Sequence, residues 1–421
     1  MNPISLSIYN LLWMLAWYPT KAYLKLRKRS WHLSRFESPT IHDSASNQVA
    51  WIHALSLGEV MTSIPLVTAF SNKKWTVLFS TTTKSGYQTA QAKLGQLCNE
   101  IFVLPVDAPW LTRKLCRVRP NMCIIVETDI WPNLLNTLKK NGVPVYLVNA
   151  RMRPSSWKFY HLLHQMGLNM FDELDVILTA SEVDVPVYAS CRSFFPNRVK
   201  FMGNLKWDAA LLNRSDKKEI DNLKRQLRLE ASRSVWIAGS IHYGEEEKIL
   251  QTHKRIMSHF SDALLIVAPR KLEIVPVLTE KCHRLGLAFE LRTTSNTITP
   301  KTNVFVLDTF GELSKFYGLA DCAFVGGSLV PFGGHNPFEA AVYGIPVCWG
   351  PYAYNFSDAT ANLEASKSGK TVYSEDELFD FVMGSLQRTN IVPLPFSPEP
   401  LSISNRIFQF LTSAVNRSYE Q

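Results

Sequence analysis

At 421 residues, with 46% hydrophobic and 19% charged side chains, the chain is long enough for two globular domains, each with its own core. The formal net charge is +9, and much of the excess lies in Lys21, Lys25, Arg27, Lys28, Arg29 and Arg35. A basic cluster after an apolar run points to an anionic membrane surface, and no nucleic-acid motif accompanies it. The seven cysteines form no C-x-x-C pair and are odd in number, which argues for a reducing compartment and against a zinc site or disulfide framework.

Residues 1–20 carry no charged side chain and include Ile4, Leu6, Ile8, Leu11, Leu12, Trp13, Met14, Leu15, Trp17 and Tyr18. Twenty residues are just enough to cross a bilayer, but Asn2, Pro3, Ser5, Ser7, Asn10 and Pro19 weaken the span. The segment is expected to anchor the chain to a membrane or lie at its surface as an apolar helix. A helix packed on the protein body is the alternative. The basic residues that follow should keep the body in the cytoplasm.

From about residue 48, short apolar runs alternate with helical patterns. Strands are expected at 49–55, 75–80, 101–104, 122–126, 144–148 and 175–179. The spacing reads as βαβ units and a parallel sheet. Gly203-Asn204-Leu205-Lys206 reads as a crossing between domains, and a charged helix follows over about 216–230. A second strand series runs through 234–240, 263–268, 304–307, 322–325 and 346–349, and Pro393–Pro400 is proline-rich. The fold expected is α/β of GT-B type: two Rossmann-like, doubly wound domains facing a cleft. The divisions are 1–30 for the membrane segment, 31–205 for an acceptor-binding domain and 206–421 for a nucleotide-sugar domain. The last helix is expected to have the option of packing back on the first domain.

Ligands in open parallel sheets sit beyond the carboxyl ends of strands, so the turns there carry the chemistry. Ser56-Leu57-Gly58-Glu59 follows the first strand. It reads as a capping box, or as a turn presenting Glu59 as a general base kept ionised by a helix N-terminus. Gly326-Gly327 and Gly333-Gly334 precede Asn336-Pro337-Phe338-Glu339, whose pattern suits a helix start. Free N–H groups there could cradle a phosphate, and Glu339 could bind ribose hydroxyls. Arg270, after Pro269, could reach a phosphate with two donors. Glu127 and Asp129 form an acidic pair too isolated to argue for a metal. Thr81 through Gly86 offers hydroxyls and backbone donors to a polar ligand, and Asn149 through Arg153 adds positive charge nearby. His242 reads as a structural histidine.

In order along the chain, His53 through Glu59, Thr81 to Gly86, Leu104 to Pro109, Glu127 through Asn133, Asn149-Ala150-Arg151 and Gly203 through Lys206 resemble the 3-deoxy-D-manno-octulosonic acid (Kdo) transferases. Gly239-Ser240 with Gly244 to Glu246, Pro269-Arg270, Gly311-Glu312-Leu313, Gly326 to Ser328 and Gly334 to Asn336 with Glu339 extend the resemblance over nearly the whole chain. It implies an inverting GT-B enzyme that uses CMP-Kdo as donor, a lipid A precursor (lipid IVA) as acceptor and no metal or cofactor. It further implies action at the cytoplasmic face of the inner membrane, in lipopolysaccharide synthesis. By the same resemblance Glu59 is the base, and Glu127 and Lys206 stabilise the transition state. The CMP contacts are Pro269, Arg270, Phe310, Gly311, Glu312, Asn336, Pro337, Phe338 and Glu339. Ile241 stands where the family usually has Thr, and Trp207 where it has Phe. Two other readings stay open: another GT-B enzyme using a UDP-sugar on a membrane lipid, and a nonenzymatic nucleotide- or lipid-binding membrane protein.

Overall fold

The computed structural model describes residues 1–41, 48–115, 118–152, 154–192, 196–387 and 402–419. Cys116, Arg153 and the proline-rich stretch Pro393–Pro400 lie outside the described residues. Two compact units form, Met1–Ala209 with Glu399–Gln421, and Ala210–Pro398.

The first unit contains β1 (Val49–Ala54), β2 (Thr76–Thr81), β3 (Glu100–Val103), β4 (Met122–Val126), β5 (Val145–Ala150), β6 (Val176–Thr179) and β7 (Val199–Phe201). They pair in parallel in the order β3-β2-β1-β4-β5-β6-β7. Neighbouring residues of β1 feed opposite cores. Val49 and Trp51 join one cluster, and Ala50, Ile52 and Ala54 join the other. A strand covered on both faces needs a near-continuous apolar run, which is why the alternation of a half-buried strand is missing here.

The second unit contains β8 (Val235–Ile241), β9 (Leu264–Pro269), β10 (Phe289–Leu291), β11 (Val304–Val306), β12 (Cys322–Val325), β13 (Val347–Trp349) and β14 (Gly369–Thr371). Their order is β10-β11-β9-β8-β12-β13-β14, again parallel.

The division between units falls after Ala209, not after Leu205. Leu205 is buried in the first unit's core, and Lys206 pairs with Glu127 there. Asp208 accepts hydrogen bonds from the N–H groups of Ile403 (3.3 Å) and Ser404 (2.7 Å). It thereby caps the helix Ile403–Tyr419, whose Phe408 packs edge-on against Phe70. The last helix therefore belongs to the first unit.

The apolar start forms a helix over Pro3–Leu26. Among the described residues no helix is long and apolar enough to cross a membrane. One side of this helix is docked: Trp13 and Trp17 pack on Phe36, Trp17 on Trp110, and Tyr9 hydrogen-bonds the buried Asp107. Elsewhere on it Ile4, Ile8, Leu11, Leu12, Leu15 and Tyr18 are exposed at helical spacing.

Candidate active site

In the first unit the chemistry gathers at the carboxyl edge of β1, β2, β4 and β5. After β1, Ser56 is the N-cap of the helix Leu57–Asn72, yet its side chain makes no cap bond to the backbone. The Glu59 carboxylate instead takes the N–H of Leu55 at 2.6 Å, and the Ser56 hydroxyl reaches it at 3.5 Å. The capping-box geometry is thus displaced by one residue. Glu59 is buried, and burial together with the neighbouring Glu127 carboxylate pushes its pKa up to about 8. This corrects the expectation of a fully ionised base: the helix N-terminus does not outweigh desolvation and like charge.

Glu127 follows β4 with φ of +65°, a left-handed conformation uncommon outside glycine. Its carboxylate is 3.2 Å from the Lys206 ammonium. The lysine is held through its helix start, where Asn204 Oδ1 accepts from the Lys206 N–H and Asn149 Oδ1 from the Leu205 N–H. Asn149 is itself left-handed, at φ +53°. Two strained residues at adjacent strand ends mark a place where geometry is kept at a cost to the backbone. Glu59, Glu127 and Lys206 are therefore brought together, as Coulombic influence of both Glu127 and Lys206 on Glu59 also requires.

A buried relay stands behind them. The Trp51 indole donates to Ser80 Oγ, Ser80 Oγ lies 2.8 Å from His53 Nδ1, and His53 Nε2 lies 2.8 Å from Asp129 Oδ2. A proton on Nε2 satisfies every member of this chain. Thr82 and Trp131 also donate to Asp129. Burial alone would raise the Asp129 pKa, but these donors and His53 hold it below its ordinary value. Asp129 is thus committed to structure, so the sequence pair Glu127 and Asp129 divides into two roles. Nothing in the pattern of Val49–Ala54 announced His53 as a polar residue inside a core strand with a partner 76 positions away.

In the second unit the expected nucleotide residues follow three strands, β9, β11 and β12. Pro269 ends β9, and Arg270 follows it with an exposed side chain. Phe310 is exposed, and Gly311 has φ of +84° with open space where a side chain would be. The Glu312 carboxylate is held by Arg292 and Thr309, which outweigh its partial burial and keep its pKa low. Asn336 Oδ1 accepts the Phe338 N–H at 3.2 Å, Pro337 and Phe338 are buried, and Glu339 is exposed. Arg270 exerts its charge on Glu339 and on His335. His335 Nε2 lies 2.8 Å from His242 Nε2, which places His242 in this cluster.

The first glycine pair, Gly326-Gly327, does not offer the phosphate cradle expected of the turn. The N–H groups of Gly327, Ser328 and Leu329 all donate to the buried Glu245 carboxylate, at 2.7, 3.0 and 2.8 Å, as does His242 N–H at 2.8 Å. An internal carboxylate occupies the position proposed for a ligand. Gly326 is needed for close packing instead, since a Cβ there would sit 2.5 Å from the Ile241 backbone. The helix beyond, Phe338–Ala341, is only four residues long, too short for a sizeable dipole.

Residues 28–209 match the family described as 3-Deoxy-D-manno-octulosonic-acid transferase (kdotransferase). The 3-deoxy-D-manno-octulosonic acid transferase of Haemophilus influenzae is 32% identical over 316 residues, covering 74% of this chain and 72% of that one. That of Aquifex aeolicus is 30% identical over 331 residues, covering 78% and 83%. Among solved structures, UDP-GlcNAc 2-epimerase from Neisseria meningitidis shares the fold, with a TM-score of 0.59 and 13% identity over 87% of this chain and 100% of that one. The parallel α/β units, the carboxylate–lysine site and these relatives make the protein a glycosyltransferase. It belongs to the Kdo transferase family.

Proposed function

We propose that this is a GT-B enzyme that transfers Kdo from CMP-Kdo to a lipid A precursor, lipid IVA, with inversion and without a metal in the reaction, at the cytoplasmic side of the inner membrane. The observation that carries the proposal is the buried Glu59 carboxylate beside the Glu127–Lys206 pair, in a chain of this family. Ionised Glu59 takes the proton of a glucosamine hydroxyl as its oxygen attacks the anomeric carbon. The bond from that carbon to the phosphate oxygen breaks, and its electron pair leaves with CMP. Lys206 and Arg270 are the cations suited to offset the developing charge. Incubation with CMP-Kdo and lipid IVA, followed by mass spectrometry of the lipid, tests the proposal; unchanged lipid would refute it.

The cluster of Arg270, His335 and Glu339 is the proposed CMP site. CMP should raise the melting temperature without added magnesium, because it binds only the folded state. Glu339→Ala should weaken CMP binding roughly tenfold, the loss expected for a charge-assisted hydrogen bond. Equal stabilisation by UMP, or none without divalent metal, would count against this site.

The exposed stripe of the first helix, followed by Lys21, Lys25, Arg27, Lys28 and Arg29, supports membrane attachment. Apolar insertion supplies one signal and the basic cluster a second. Replacing Ile4, Ile8, Leu11, Leu12 and Leu15 by Gln should release the protein from anionic vesicles while sparing its melting temperature. Deleting the helix would be a poorer test, since it removes Trp17 from Trp110 and Tyr9 from Asp107.

A further inference from the structure

The first unit contains a cavity that the catalytic reading does not use. It measures about 580 Å³ and is lined by Trp31, His32, Arg35, Thr82, Thr83, Lys84, Ser85 and Gln88. That volume suits a small ligand. Three of the lining side chains are basic and none is acidic. Arg35 is half-buried; its Nε donates to the Leu104 carbonyl at 3.0 Å, and among the described residues it forms no ion pair. Asp129 is near enough to act on it electrostatically but does not pair with it, so this guanidinium, partly withdrawn from water, keeps donors suited to an anion. The Asp129 carboxylate behind Thr82 is already taken up by His53, Thr82 and Trp131.

The walls are fixed. The Trp31 indole donates to the Thr82 carbonyl at 3.2 Å, and its ring packs on Tyr87. Thr83 Oγ1 caps the Gly86 N–H of the helix Lys84–Leu94. The preceding N–H groups, of Lys84 and Ser85, have no partner among the described residues and add to the positive potential. The cavity also connects to the proposed base. Thr82 and Thr83 donate their N–H groups to the Leu55 carbonyl at 3.3 and 3.1 Å, and the Leu55 N–H donates to Glu59. One residue, Leu55, thus ties the cavity floor to the catalytic carboxylate through its two flanking peptide groups.

We propose that this cavity is an anion subsite for the acceptor, which seats a sugar phosphate monoester of the glycolipid against Arg35 and Lys84 and so presents a hydroxyl to Glu59. The proposal rests on the transferase reading and names a part of its substrate that the catalytic residues do not touch.

The test uses the full-length protein with Arg35→Gln and Lys84→Gln. Because Arg35 also holds the Leu104 carbonyl, the exposed Lys84 supplies the variant least able to disturb folding. Transfer is measured on a phosphorylated glucosamine lipid and on the same lipid after phosphatase treatment. Each substitution should raise KM for the phosphorylated lipid roughly tenfold, as loss of a charge-assisted contact does, with CMP affinity unchanged. Phosphatase treatment should cost the wild type as much, and the variants nothing further. A wild type indifferent to the phosphate, or variants impaired equally on both lipids, would overturn the proposal. Should no lipid be turned over, the transferase reading fails, and binding then decides the subsite on its own. The phosphorylated lipid should sediment with wild type and less with Arg35→Gln. Stabilisation by inorganic phosphate with no preference for the phosphorylated lipid would reassign the cavity to free phosphate and refute the acceptor role.

Discussion

Glu59→Gln should lower kcat by roughly 100-fold or more while CMP still binds, the loss typical of a general base. The amide keeps the side chain's shape and can still accept the Leu55 N–H, so a fall in activity without a fall in melting temperature separates chemistry from capping. The pH profile carries the same signature. With the Glu59 pKa at about 8, the wild type should gain activity as pH rises through that value, because only the ionised carboxylate can take the proton. Stability should run the other way. A carboxylate whose pKa is raised on folding from 4.5 to about 8 holds a proton in the native state that the unfolded chain has lost, so stability falls as pH rises across that window. Glu59→Gln removes both slopes. Near-normal turnover in this variant would leave Glu59 as a helix-start residue only.

Much of this architecture is legible in the sequence because the central strands are covered on both faces and so appear as uninterrupted apolar runs. The segments 122–126 and 322–325 are read at the residues where β4 and β12 form. The strands that escape are β7, β10 and β14, three residues each and at sheet edges or next to solvent. Val199–Phe201 buries one residue of three, and Phe289–Leu291 and Gly369–Thr371 bury none fully, so no apolar signal exists to be read.

The candidate site divides in the same way. Glu59 is visible because it sits at a strand-to-helix turn of recognisable composition. The left-handed backbone at Glu127 and Asn149 is not, since neither is glycine and only the fold imposes that strain. The relay from Trp51 through Ser80 and His53 to Asp129 joins β1, β2 and the turn after β4, which no local pattern connects. Asp107 makes the point from the other direction. Its motif reads as part of the family signature, yet its carboxylate accepts the N–H groups of Asn133 and Leu134 and so starts the helix Pro132–Lys140.

Glu245→Ala should destabilise the second unit severely. Its carboxylate is fully buried and accepts four backbone N–H groups, from His242, Gly327, Ser328 and Leu329. Burial lifts its pKa and those donors oppose the rise, so the four bonds are what make the charge tolerable there. Alanine leaves all four donors without partners. At about 1–3 kcal/mol for each orphaned buried donor, discounted for water entering the void, a loss of at least about 4 kcal/mol is expected. For a unit of this size that corresponds to a fall of roughly 10 °C in melting temperature. CMP binding should weaken with it, because the loop from Gly326 to Glu339 carries His335 and Glu339 and depends on this pin. A phosphate-cradling glycine turn predicts the opposite: with the carboxylate gone, its N–H groups are released, and CMP should bind more tightly and restore the melting temperature. Calorimetry of Glu245→Ala with and without CMP distinguishes the two. Tighter CMP binding at an unchanged melting temperature would show that Glu245 excludes a phosphate, whereas an early transition that CMP does not rescue identifies it as the internal anion around which the turn is built.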